Sequence, residues 1–207
     1  MRRVVAVVLA GGASSRFGGT PKAFVSLRGR PMIAWVIATL SELTDDIAVE
    51  IGGQDRALYT DLGLPLLSSS TGARGPLAGV HAALAWGEHA SELVAIAPCD
   101  VPGIEAHTYE RLLSEVTRRE CEGAYVEMTD GAHPLNAVLR SRLRTKLEPI
   151  LECQILPSVR DCFRSNGILS IACEGKLVNV NTIEDLTEAA RLAKARRYWR
   201  SATVPKK

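Results

Sequence analysis

The sequence predicts a three-layer α/β fold built on a mostly parallel sheet with an antiparallel insertion. Three observations predict it. Apolar runs rich in Val, Ile and Leu alternate with helical patterns through the first hundred residues. Two of those runs, in "VVAVVLA" (4–10) and "LVAIAP" (93–98), are continuously apolar, as strands buried on both faces are. From about 120 to 180 the strand patterns crowd together, which suits an antiparallel part on the same sheet.

Element by element, "VVAVVLA" is the first strand and opens into the glycine-rich stretch "LAGGASSRFGGTPKAF" (9–24). "RPMIAWVIATLSEL" (30–43) reads as a helix with Pro31 at its first turn. "DIAVEIGG" (46–53) and "LPLLS" (64–68) read as short strands. "GPLAGVHAALAWG" (75–87) is helical, with Pro76 near its start and Leu77, Val80 and Leu84 along one face. "ELVAIAPCDVP" (92–102) is a buried strand ending in a polar turn. The strands "GAYVEM" (123–128) and "HPLNAVLR" (133–140) follow, then helical patterns over "SRLRTKLEPIL" (141–151) and "PSVRDCFRS" (157–165). "ILSIACEG" (168–175) and "KLVNVN" (176–181) read as the last strands. "TIEDLTEAARLAKARRYWR" (182–200) closes the chain as a helix, with Thr182 as N-cap and Glu184 and Asp185 suiting its positive end. Trp35 and Trp86 fall in helical patterns and read as core. No repeat, low-complexity tract or linker divides residues 1–207, so they read as one domain, with a basic tail trailing from about residue 200.

Composition bounds the function. The 207 residues carry a net charge of +2, with 46% hydrophobic and 23% charged residues, an ordinary soluble balance. A chain of this length buries roughly 70% of its unfolded surface and needs no metal or disulfide staple. The near-neutral charge argues against a nucleic-acid binder. Five cysteines, at 99, 121, 153, 162 and 173, show no CxxC spacing and read as free thiols, against zinc. Two N-terminal arginines precede an apolar run, but that run is β-branched, short and opens into glycines instead of a cleavage site. No stretch approaches the roughly 18 apolar residues of a membrane span. These features point to the cytoplasm.

In such a sheet ligands gather at the carboxyl ends of the strands, where the glycine stretch, "GPLAG", "PCD" and "NVNT" all fall. The glycine stretch is neither of the common phosphate loops. A Walker loop needs GxxxxGK[ST], whereas Gly18 is followed by Gly19, Thr20 and Pro21 before Lys22. A dinucleotide fingerprint needs GxGxxG, and Ala13 stands at its second glycine. What remains is a long run of free N–H groups carrying Arg16 and Lys22, able to wrap a triphosphate and meet charge on its phosphorus. Asp100, just past a buried strand, is placed to hold Mg²⁺ beside phosphate oxygens, and equally to cap an ordinary turn. Asn179 and Asn181 share one face of a strand, where a metal, a polar ligand or strand-end turns could satisfy their amides.

Taken together and in order, "LAGGASSRFGGTPKAF", "GPLAG", "PCDVP", "HPLNAVL" and "NVNTIEDL" resemble the molybdenum cofactor guanylyltransferases, of the nucleotidyltransferase superfamily with a Rossmann-like fold. The resemblance implies a Mg²⁺-dependent transfer of GMP from GTP to the phosphate of molybdopterin, releasing pyrophosphate. It implies that Leu9, Ala10, Gly11 and Gly12 line guanine and ribose, that Arg16 and Lys22 contact phosphate, that Gly79 sits near the nucleotide and that Asp100 is the magnesium ligand. Asn179, Asn181 and the segment His133–Pro134 match the acceptor side, although a lone histidine suits a structural role too. Two positions depart from the family. Many relatives carry Asp-Lys where this chain has Pro21-Lys22, and Ser68 stands at about the place of an Asp that helps hold the nucleoside. A serine hydroxyl cannot make the charge-assisted contact of a carboxylate with a guanine N–H edge. A CTP- or UTP-using sister enzyme with another phosphorylated acceptor, or a non-catalytic nucleotide-binding adaptor in molybdoenzyme assembly, are the alternatives. Molybdoenzymes or cofactor-assembly proteins are the expected partners.

Overall fold

The computed structural model describes residues 3–11, 20–68 and 75–195. Its strands are β1 (Val4–Leu9), β2 (Ser26–Leu27), β3 (Arg30–Pro31), β4 (Ile47–Glu50), β5 (Leu66–Leu67), β6 (Leu93–Pro98), β7 (Gly123–Met128), β8 (Gly131–Arg140) and β9 (Leu169–Ala172). Its α-helices are α1 (Met32–Ser41), α2 (Pro76–Glu88), α3 (Ala106–Arg119), α4 (Arg144–Leu151), α5 (Val159–Ser165) and α6 (Ile183–Ala195).

The alternation along β1 decides the layering. All six of its residues are buried, and successive side chains leave the strand on opposite faces. Val4, Ala6 and Val8 enter one core; Val5, Val7 and Leu9 enter another. Ile33, Val36 and Leu40 of α1 and Tyr109, Leu112 and Val116 of α3 fill the first core. Leu77, Val80 and Leu84 of α2, Leu147 of α4 and Phe163 of α5 fill the second. The outcome is helix–sheet–helix. A third cluster, of Val25, Leu27, Met32, Trp35, Val180 and Ala189, fixes α6 against α1 and the β2–β3 ribbon.

The main sheet runs β5-β4-β1-β6-β8-β7-β9. β1, β4, β5 and β6 are parallel, β8 is antiparallel to both its neighbours, and β9 is parallel to β7. The antiparallel insertion is therefore one strand, β8. From β1 the chain moves to β4 on one side and later returns to β6 on the other. That reversal opens a crevice above the carboxyl end of β1.

Two expectations needed correction. The stretch "KLVNVN" is not a strand: residues 176–181 are irregular, and Val180 N–H donates to the carbonyl of Asp100 at 2.9 Å instead of joining a ladder. The alternating-face argument for Asn179 and Asn181 lapses with it. Helix α3 was not foreseen, although Ala106, Tyr109, Leu112 and Val116 line its buried face. The reach of the closing helix beyond residue 195, including the basic tail, lies outside the described residues. All five cysteines are free thiols, as their spacing predicts. Among the described residues no helix is long and apolar enough to cross a membrane.

Candidate active site

Backbone bonds carry the sheet past its last residues and bring the strand-end loops together. Ala10 N–H donates to Glu50 O at 2.7 Å and Cys99 N–H donates to Leu9 O at 3.0 Å. The chain therefore leaves β1 wedged between the ends of β4 and β6. Of the residues expected to line the nucleoside, Leu9, Ala10 and Gly11 stand at this exit, and Gly79 lies in the second turn of α2. Ser68 is exposed just past β5. Gly12 and Arg16 lie outside the described residues.

Lys22 is held by its neighbours. Pro21 turns the chain (φ −54°, ψ 133°) into a short 3₁₀ helix over Lys22–Phe24. Ala23 is buried, and the Phe24 ring packs on Tyr59 with centroids 4.9 Å apart. With the two following residues anchored in the core, the Lys22 side chain is left to cross the crevice. Its Nζ donates to Asp100 Oδ2 at 2.6 Å and to Asn181 Oδ1 at 2.9 Å. Asp100 is anchored likewise, between the buried side chains of Cys99 and Val101. Both charged side chains are about one-fifth exposed, open enough to receive a ligand and dry enough for the pair to matter.

Asn181 reaches this junction through the start of α6. Asp185 Oδ2 accepts from the N–H groups of Asn181 and Thr182, each at 2.8 Å, and Asp185 N–H donates to Thr182 Oγ1 at 3.1 Å. This reciprocal cap confirms Thr182 as N-cap. The N–H of Asn181 is the main cause that holds the Asp185 carboxyl below the usual carboxylate range. Asn179 is exposed, and its carbonyl accepts from Asn181 Nδ2 at 3.3 Å.

His133 stands near the start of β8, at the same carboxyl edge because β8 runs against the other strands. Its Nε2 lies 3.4 Å from Asp130 Oδ1. The β7–β8 register pairs Tyr125 with Ala137 and Val126 with His133. Residues 134–136 therefore bulge from the ladder, where Pro134 has no N–H to lose. The structure thus joins Lys22, Asp100 and Asn181 by direct contact and sets His133 on a separate strand of that edge.

One residue of this region escaped the sequence reading. Glu50, the last residue of β4, is only 4% exposed and pairs in register with Leu9. Its Oε1 accepts from Gly52 N–H at 2.7 Å. Its Oε2 lies 2.8 Å from where a Cβ on Gly11 would be and 3.0 Å from where one on Gly79 would be. Burial pushes its carboxyl above the ordinary range, against the pull of the Gly52 and Gly11 N–H groups. The signal was available: a lone acid closing the apolar run of "DIAVEIGG". Behind it, Tyr59 Oη donates to Gln54 Oε1 at 3.0 Å, and Gln54 Nε2 donates to Ala10 O at 2.8 Å.

Chemically, the junction offers one cationic donor, one carboxylate and one amide oxygen. Burial pushes the Cys99 thiol, next to Asp100, far up from its usual range. That thiol is no nucleophile at neutral pH. The arrangement suits neutralisation of charge on a bound ligand, not covalent attack by the protein.

A family model described as "MobA-like NTP transferase domain" matches residues 6–167. The chain is 34% identical over 149 residues to the molybdenum cofactor guanylyltransferase of Yersinia pestis, covering 72% of this chain and 74% of that protein. Among solved structures, the molybdopterin-guanine dinucleotide biosynthesis protein A of Archaeoglobus fulgidus superposes with a TM-score of 0.74 at 22% identity, over 94% of this chain and 100% of that one. A 4-diphosphocytidyl-2C-methyl-D-erythritol synthase from Anaerococcus prevotii gives a TM-score of 0.74 at 13% identity, over 93% and 96% of the two chains, so the fold extends beyond one substrate. With the nucleotidyltransferase fold, the glycine exit of β1 and a match over most of the sequence, the chain belongs to the MobA-like NTP transferase family.

Proposed function

We propose that this nucleotidyltransferase transfers GMP from GTP to the terminal phosphate of molybdopterin, releasing pyrophosphate, and that residues 1–207 act as one domain. The observation that carries the reading is the junction of Lys22, Asp100 and Asn181 beside the glycine exit of β1. The relatives' shared activity supports the choice of guanylyl transfer.

The residues present fit a divalent cation. Asp100 Oδ2 and Asn181 Oδ1 are hard oxygen donors that already converge on a positive charge, the Lys22 ammonium, at 2.6 and 2.9 Å. Mg²⁺ takes one or two protein oxygens and completes its shell with phosphate oxygens and water. Asp100 would hold it with Asn181 alongside, and the ion would supply neutralisation of charge on the triphosphate. Among the described residues no group of three or more His, Cys, Asp or Glu side chains gathers as a metal site. A substrate-assisted Mg²⁺ site needs none.

The acceptor phosphate is ionised at neutral pH, so no protein base is required for attack on the α-phosphorus. Lys22 exchanges its carboxylate partner for triphosphate oxygens and offsets the charge that develops there. The backbone at Leu9–Gly11 orients the nucleoside. His133 and Asn181 face the acceptor, and Arg16 is assigned to the phosphates. Catalysis is then positioning plus electrostatic stabilisation. The test is Mg²⁺-dependent pyrophosphate release from GTP and molybdopterin, with CTP, UTP and ATP in parallel. Lys22→Ala and Asp100→Ala should each slow release by at least about 10²-fold. Release with CTP in preference to GTP would overturn the guanylyl reading, and near-normal rates in either variant would remove that residue from the mechanism.

A further inference from the structure

We infer that Tyr109 and Asn136 are positioning residues: a buried hydrogen-bond chain, from β8 through the Tyr109 hydroxyl to the carbonyl of Ile96, sets the loop that carries Asp100 against the strand that carries His133. The inference rests on the reading that Asp100 serves the triphosphate and β8 the acceptor, and it names what keeps those two supports in register.

Three observations carry it. The first is where β6 loses a neighbour. The β6–β8 register ends with Ile96 opposite Ala137, while β6 continues through Ala97 and Pro98 along β1. Residues 134–136 of β8 bulge from the sheet at this point. On the β1 side, the bond from Cys99 N–H to Leu9 O carries the ladder to the threshold of Asp100. On the β8 side the Tyr109 hydroxyl serves instead, donating to Ile96 O at 3.0 Å.

The second is what that bond encloses. It closes a 13-residue span, from Ile96 to Tyr109, that contains Asp100. The Tyr109 ring belongs to the same core cluster as Cys99 and Val101, which flank Asp100. Burial pushes the phenol well above its usual range, so the hydroxyl keeps its proton and remains a donor. The third is Asn136, three residues after His133 and only 1% exposed. Its Oδ1 lies 3.2 Å from Tyr109 Oη. The hydroxyl has a single hydrogen for two oxygens. A half-turn of the Asn136 amide lets Nδ2 donate to Oη while Oη donates to Ile96 O. A satisfied buried chain of this kind specifies one arrangement of the strands it joins. Neither side chain is exposed to a ligand, so any effect on the reaction passes through Asp100 and β8.

The experiment uses Tyr109→Phe, which keeps the ring and removes the hydroxyl, and Tyr109→Phe combined with Asn136→Leu, which removes both polar partners. Tyr109→Phe should lower kcat for pyrophosphate release from GTP and molybdopterin by about 10-fold or more, with KM for each substrate within about 2-fold, because misalignment is felt in the transition state. The combined variant should resist denaturant better than Tyr109→Phe, since it leaves no orphaned amide, yet its kcat should stay low. Without substrate, the Val180 N–H, which donates to Asp100 O at 2.9 Å, should exchange about 10-fold faster in both variants relative to the Ala6 N–H of the distant β1–β4 side. A kcat that recovers together with stability would mark a purely structural pair and overturn the inference. So would a kcat of Tyr109→Phe within about 2-fold of the parent, or unchanged relative exchange at Val180. If the unaltered protein releases no pyrophosphate from GTP and molybdopterin, it is the guanylyl reading that has failed, and exchange at Val180 still decides the inference.

Discussion

The pair formed by Lys22 and Asp100 can be measured without any substrate. A Lys22→Met change removes the ammonium and keeps most of the stem; Asp100→Asn removes the carboxylate charge and keeps the shape. The two atoms lie 2.6 Å apart and each side chain is about one-fifth exposed. This bond therefore belongs with charged hydrogen bonds of partly dry sites, about 1.5–3 kcal/mol, and not with surface ion pairs. Asn181 Oδ1 also accepts from Lys22 Nζ at 2.9 Å and leaves the ammonium a partner when Asp100 is altered, so Asp100→Asn should fall at the lower end of that range. For a chain of this size, each kcal/mol moves the melting point by about 2–4 °C. The assay is a double-mutant cycle by chemical denaturation: the two single variants, the double variant and the parent. The double variant should lose less than the sum of the singles by at least about 1 kcal/mol. Independent sites add to within about 0.5 kcal/mol. A coupling energy inside that limit would mean that the ammonium and the carboxylate do not meet in solution, and the junction on which the catalytic reading stands would dissolve.

Two further predictions follow from the site's surroundings. Gly11→Ala should destabilise the protein by about 1–3 kcal/mol through overpacking, because its methyl would meet the Gly52 backbone at 3.0–3.1 Å as well as Glu50 Oε2 at 2.8 Å. Gly79→Ala should cost less, since the nearest atoms it meets belong to the side chains of Glu50 and Leu9 and not to backbone, and it gains helix propensity; comparable losses by denaturation would refute the packing argument. Asp185→Asn should lower stability at neutral pH and lose its effect in acid. The carboxyl is held below its ordinary value of 3.8, so its contribution is full above that value and disappears as pH falls through the depressed one. A difference from the parent protein that persists at acid pH, read by thermal unfolding, would exclude the cap.

Much of this was legible in the sequence because its signals are local. A run such as "VVAVVLA" has no polar position to offer a solvated face, so a central strand was the only economical reading. Asp100 could be singled out because it ends such a run. What escaped depends on distance along the chain. The Asn181–Lys22 bond spans 159 residues, and no local periodicity encodes it. "KLVNVN" alternates like a strand yet joins no ladder; α6 and the β2–β3 ribbon hold Val180 instead. Helix α3 has its apolar spacing in the sequence, but charged residues dominate its outer face and hid the pattern. Glu50 was passed over because a single acid at the end of a strand looks like an ordinary terminus until the glycines around it are seen in space.

The three-way meeting at Lys22 has a temporal implication. The ammonium comes from the first connection after β1, the carboxylate from the end of β6, and the amide oxygen from the approach to α6. That amide, 159 residues beyond Lys22, is the last of the three to be made. During synthesis the sheet can therefore gather its four parallel strands on the β1 side and its inserted strand while one corner still stands open. It closes only when the last described helix emerges and docks, which makes late-arriving chain, and not the sheet, the gatekeeper of a finished enzyme.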